Sequence, residues 1–84
     1  MDGRSPHRDE IAAAIITLAG RRGRAASFCP SEVARAVATD WRPVMEKVRA
    51  VAGEMVAAGL IVATQKGMPA DLATARGAIR LRLR

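Results

Sequence analysis

At 84 residues the chain holds one domain, and a domain of this size buries only about 60% of its unfolded surface, so modest stability is expected. With 14 Lys+Arg against 8 Asp+Glu the formal charge is +6, and 50% of the residues are apolar, enough for one small core without a second lobe. That balance points to an anionic partner (nucleic acid, an acidic protein face or a membrane surface), although an Ala- and Arg-rich composition with only Lys47 and Lys66 as lysines gives the same charge without any polyanion.

Cys29 is the only cysteine, which excludes an intrachain disulfide and fits a reducing, cytoplasmic setting. The opening MDGRSPHRDE carries acids where a signal peptide has an apolar core. Residues 11–19, the longest apolar run, are interrupted by Thr17 and too short to span a bilayer.

Residues 1–6 read as a loose tail running into a helix start, with Ser5 as cap, Pro6 in the first turn, and Asp9 and Glu10 where the helix dipole favours acids. Ile11, Ile15 and Leu18 recur at helical spacing, with Ala12, Ile16 and Ala19 widening the face. Arg21 and Arg22 suit the helix end, Gly20 or Gly23 stops it, and together with Arg24 these arginines read as a solvated terminus rather than a phosphate cluster. Residues 25–29 form a short extended segment with Phe28 in the core. Pro30 opens a second helix over 31–38, whose buried stripe is Val33, Ala34 and Val37, with Glu32 and Arg35 outside.

Asp40 is the candidate cap of a third helix that Pro43 fixes to start near Trp41 and that runs to about 58. Val44, Val48, Val51 and Met55 form its core stripe, Arg42, Glu46, Arg49 and Gly53 lie opposite, and Lys47 and Glu54 flank it. Gly59 ends the helix and Leu60 folds back on Met55. Residues 60–64 read as a strand and 66–77 as a long connection, with Asp71 capping one turn over 72–75. In 78–84, Ile79, Leu81 and Leu83 alternate with Arg80, Arg82 and Arg84, a strand with one face on the core, paired antiparallel with 60–64. The fold class is therefore α+β: a winged helix-turn-helix of three helices with a small antiparallel sheet, whose wing is the connection. It occupies 1–84 as a single domain.

This order of elements resembles the winged-helix family of DNA-binding domains. The segments PSEVARAV, WRPVMEKVRAVA, GLIVATQKG and RGAIRLRL resemble a family of small bacterial winged-helix proteins that is a domain of unknown function, over roughly 11–83. The resemblance implies the fold and says little about activity. By analogy, the third helix enters a major groove and the wing touches the flanking backbone. Extra terminal helices of the kind many winged-helix repressors use to dimerise are lacking, so a monomer or weak homodimer is expected.

Duplex binding needs cations at phosphate spacing and side chains that reach base edges. The candidates are Arg42, Lys47 and Arg49 on the third helix, Lys66 and Arg76 in the wing, and Arg80 and Arg82 on the last strand. The strand arginines stand roughly 6.6–6.8 Å apart. Glu46 and Glu54 oppose phosphate. Single-stranded nucleic acid is disfavoured, because Phe28 and Trp41 are the only aromatics and Trp41 reads as a packed anchor.

Catalysis lacks parts. His7 is the only histidine; it makes no metal site with Cys29 and would have to serve any triad built on Ser5, Ser27 or Ser31. Cys29 before Pro30 sits where a thiolate is stabilised, but it reads better as a small, half-buried residue. The sequence thus describes a non-catalytic module without cofactor or metal. Duplex DNA is the expected partner, with transcription regulation as a setting. The alternative is a protein-interaction adaptor that docks an acidic partner. A membrane role is not expected.

Overall fold

Ile11, Ile15 and Ala19 line one face of α1 (Arg8–Arg22) and are fully buried, so the period read from the sequence sets the inner face of the first helix. The structure, a computed structural model, describes residues 6–84. The expected Ser5 cap and most of the expected tail lie outside those residues. Pro6, expected at the junction of tail and first turn, precedes the helix and is buried. The helix is capped by His7, whose Nδ1 accepts the Asp9 N–H at 3.1 Å while Glu10 Oε1 accepts the His7 N–H at 3.1 Å. Gly23, with φ of 71°, ends it. Ile16 does not join the core; it is 46% exposed. It lies about 100° round the helix from Ile15, past the face that α2, α3 and β3 cover.

Helix α2 (Pro30–Val37) starts on Cys29 with Pro30 in its first turn, and Val33 and Ala34 are buried beneath it. The expected Asp40 cap does not form. The chain enters the third helix through a 3₁₀ turn, Arg42–Val44, without a side-chain cap bond, and α3 follows at Met45–Ala57. A cap side chain bonds the N–H of the second or third helical residue, and counting from Asp40 the third is Pro43, which has none. Val44, Val48, Val51 and Met55 are all buried, with Ala52 beside them. At the far end Gly59 takes φ of 78°. Its N–H bonds Val56 O and the Leu60 N–H bonds Met55 O, both at 3.0 Å, which closes the helix in a Schellman turn. The Leu60 side chain itself stays exposed.

Strands β1 (Ile61–Gln65) and β3 (Arg80–Leu83) pair antiparallel from Ile61↔Leu83 to Thr64↔Arg80. Between them the sequence suggests one open connection, but the chain first makes a tight hairpin. Lys66 and Gly67, with φ of 54° and 82°, form a two-residue turn into β2 (Met68–Pro69), which pairs with β1. The sheet order is β2-β1-β3. The chain then returns along α3. Asp71 Oδ1 accepts the Ala73 N–H at 2.9 Å, and Asp71 O accepts from Thr74 and Ala75 at 3.1 and 2.7 Å; this is the single turn anticipated there. Leu72 is buried against α3, where a Cβ placed on Gly53 would meet Leu72 Cβ at 3.9 Å.

On the other side of β3, Phe28 forms an isolated antiparallel bridge with Leu81. The result is an α+β fold of three helices and a small three-stranded antiparallel sheet, with α1 packed on β3 and α3 on β1, consistent with a winged helix-turn-helix. Phe28 heads the fully buried side chains by volume. Its replacement by alanine is expected to cost about 3–5 kcal/mol, seen as a large drop in the urea midpoint at neutral pH.

Candidate nucleic-acid interface

The fold divides the seven candidate cations. Lys47 is exposed, but its Nζ donates to Pro6 O at 2.7 Å. Arg49 is half-buried, and its Nη2 donates to Leu72 O at 3.2 Å and to Ala75 O at 2.6 Å, pinning the return connection to α3. Arg80 is held most closely: Nε donates to Ser27 Oγ at 2.9 Å, Nη2 to Ser27 O at 2.8 Å and Nη1 to Cys29 Sγ at 2.8 Å. The Phe28–Leu81 bridge places residues 27–29 beside β3 and so supplies those acceptors. Arg82 is half-buried and has only a long 3.5 Å contact with Leu83 O. Arg42, Lys66 and Arg76 are exposed. Lys66 projects from the hairpin turn, and the Arg76 carbonyl accepts from Gln65 Nε2, which ties the connection to the end of β1.

Arg42 belongs to a cluster that the sequence does not announce. Its Cζ lies 4.7 Å from the centroid of the Trp41 ring, and Arg35, from the last turn of α2, lies 4.6 Å from the same centroid. Two exposed guanidiniums thus share one half-buried indole, an arrangement in which the ring quadrupole attracts each cation. Residues six or seven apart meet here only because the α2–α3 turn folds them together. The available signal was an arginine on each side of a lone tryptophan at a helix junction.

The outward face of α3 is less basic than the count of its cations suggests. Glu46, Ala50 and Ala57 are exposed along it, and exposed Glu54 pairs with Arg8. An open groove of about 1010 Å³ separates this face from residues 70–77. At the opposite end of α1, Arg22 Nη2 meets Glu32 Oε1 at 2.5 Å and Arg24 Nε donates to Arg84 O at 2.7 Å, so two of the three terminal arginines have protein partners. Among the described residues, no group of three His, Cys, Asp or Glu side chains is placed to hold a metal ion, and no helix is long and apolar enough to cross a membrane.

The family model described as "Protein of unknown function (DUF3253)" matches residues 8–84. The chain belongs to this family. No curated protein matches it. The DUF3253 match runs from the first residue of α1 to beyond β3 and takes in all seven candidate cations as well as Arg35 and Trp41.

Within this DUF3253 domain Glu32, expected to lie free on the outside of α2, is instead drawn inward. Its Oε2 accepts the Cys29 N–H at 2.9 Å. That backbone bond, followed by the charge of Arg22, outweighs partial burial and holds its carboxyl below the usual glutamate range. As pH falls, the unfolded chain takes up this proton first. The stability Glu32 contributes is therefore complete above the ordinary value of about 4.3 and is lost as pH falls through the lower folded value. Glu32→Gln is expected to lower the urea midpoint at pH 7 and to flatten the loss of stability on acidification, both read from denaturation curves. Arg49→Ala is expected to free the connection and speed tryptic cleavage after Arg76, with an unchanged far-UV circular dichroism spectrum.

Proposed function

We propose that this DUF3253 chain is a non-catalytic winged-helix module that binds duplex DNA through the α2–α3 turn and the β1–β2 hairpin. The observation that carries this reading is the pair Arg35 and Arg42 on Trp41, beside the start of α3. Two guanidiniums there present donors to phosphate oxygens, next to a helix N-terminus whose dipole also favours anions. Lys66 in the hairpin turn adds a further exposed cation, and the net charge of +6 supports long-range attraction to a polyanion. His7, the only histidine, is used as a helix cap, which favours a binding role over catalysis. The free thiol of Cys29 suits a reducing cytoplasm.

A second reading, a protein adaptor whose cations dock an acidic partner, uses the same exposed cations and gains where the exposed Glu46 and Glu54 of α3 weigh against a duplex on that helix. Fluorescence anisotropy of a labelled random duplex, titrated at low and physiological salt, separates the two. Salt-sensitive binding is expected, and Arg35→Ala combined with Arg42→Ala should reduce the slope of log affinity against log salt by about 2, at roughly 0.9 per phosphate. Lys47→Ala should change it little. Absence of binding at low salt would leave the adaptor.

A further inference from the structure

We infer that this chain grips the duplex by its phosphates and does not read base sequence. The inference rests on the DNA-binding reading above and concerns what the third helix can do within it. Direct readout requires donors, acceptors or shaped apolar groups on a helix face that enters the major groove. The outward line of α3 is Glu46, Ala50, Gly53 and Ala57: one carboxylate, two methyls and a glycine. The helix has only two cations, Lys47 and Arg49, and both are turned onto carbonyl oxygens of the protein, Pro6 O for the first and Leu72 O and Ala75 O for the second.

The return connection reinforces this. Residues 70–77 run along the same helix and form the opposite wall of its groove, so a major groove cannot close on α3 without meeting them. Asp71 on that wall and Glu46 on the helix place a carboxylate on each side, both repelling phosphate; of the two arginines that also line the groove, Arg49 is bonded to the connection and Arg76 is exposed at its far end. Arg49 locks the obstruction in place, and the buried Leu72 seats it against Gly53.

The cations that remain outward behave differently. Arg35 and Arg42 rest on one indole at the helix junction, and Lys66 sits in a tight turn. The arginine pair stands at the turn leading into α3 and Lys66 at the tip of the hairpin, positions from which they can meet the sugar-phosphate backbone without α3 entering the groove. Phosphate contacts of this kind position a protein without carrying sequence information. The chemistry therefore specifies any B-form duplex as ligand, a property suited to covering or organising DNA rather than locating an operator.

Repeated selection of bound duplexes from a random pool, at a salt concentration that leaves half the pool bound, tests this directly. Sequencing is expected to show no enriched motif. The best recovered duplex should bind within about tenfold of the unselected pool, against the 10³-fold or greater preference typical of specific binders. An enriched motif with a preference of that size would overturn this inference while leaving DNA binding intact. A pool that fails to bind at low salt would overturn the DNA reading and this inference with it.

Discussion

Two backbone hydrogen bonds between Phe28 and Leu81, at 2.8 and 2.7 Å, join the segment between α1 and α2 to the edge of the sheet, and much else in the structure depends on them. They hold Phe28 fully buried, where an aromatic ring contributes more apolar area than any other side chain in this small core. They also bring Ser27 and Cys29 within reach of Arg80, whose guanidinium then satisfies acceptors on both. One residue further on, the Cys29 N–H is capped by Glu32, and Glu32 in turn engages Arg22 at the end of α1. A single bridge thus orients the first two helices and the last strand together.

The cations of this chain follow from that economy. Among the described residues no polar or charged side chain is fully buried, yet the loops leave carbonyl oxygens that need donors. Arginine supplies five N–H groups on a long apolar stem, so Arg24, Arg49 and Arg80 tie segments distant in sequence, and Arg22 closes the nearer junction of α1 with residues 27 and 32. A positive charge of +6 is therefore only in part a surface for a partner. The rest belongs to the scaffold, and among the described residues the exposed remainder includes Arg35 and Arg42 at the α2–α3 turn and Lys66 in the hairpin, with Arg21 at the end of α1 and Arg76 in the connection apart from them.

The return of residues 70–77 along α3 is the other feature that shapes the surface. It places a glycine of the helix, Gly53, under Leu72 and uses Arg49 as the clasp. A glycine within a helix costs about 1 kcal/mol relative to alanine, and a Cβ at Gly53 would make only ordinary van der Waals contact with Leu72, at 3.9 Å, so the connection would also accept alanine there. The third helix consequently presents small and acidic residues outward, and its basic ones are committed to the protein.

The periodic parts of the fold were legible in the sequence. The stripe Val44, Val48, Val51 and Met55, the alternation Ile79, Leu81 and Leu83, and the stop at Gly59 are local patterns, since side-chain direction repeats with the backbone and needs no partner to be read. The Lys66-Gly67 hairpin was also written locally, in a two-residue turn ending in glycine, but the following Pro69 obscured the short second strand. The Asp40 cap did not form: the 3₁₀ turn into the helix opens on Trp41, one residue later, and Pro43 has no N–H to offer a cap. Ile16 could be placed outside only once the neighbouring helices and β3 had shown how narrow the covered face of α1 is. The same holds for the charges: nothing in the spacing of Arg49, Arg80 or Lys47 announces Leu72 O, Ser27 or Pro6 O as acceptors, and nothing in that of Arg35 and Arg42 announces a shared indole. The sequence by itself determined where the three helices and the two longer strands form and most of the faces they bury, because those depend on short-range geometry. Only the tertiary structure decided which cations hold the scaffold and which face solvent, because a long flexible side chain bonds whatever acceptor the fold brings near it, however distant in the chain.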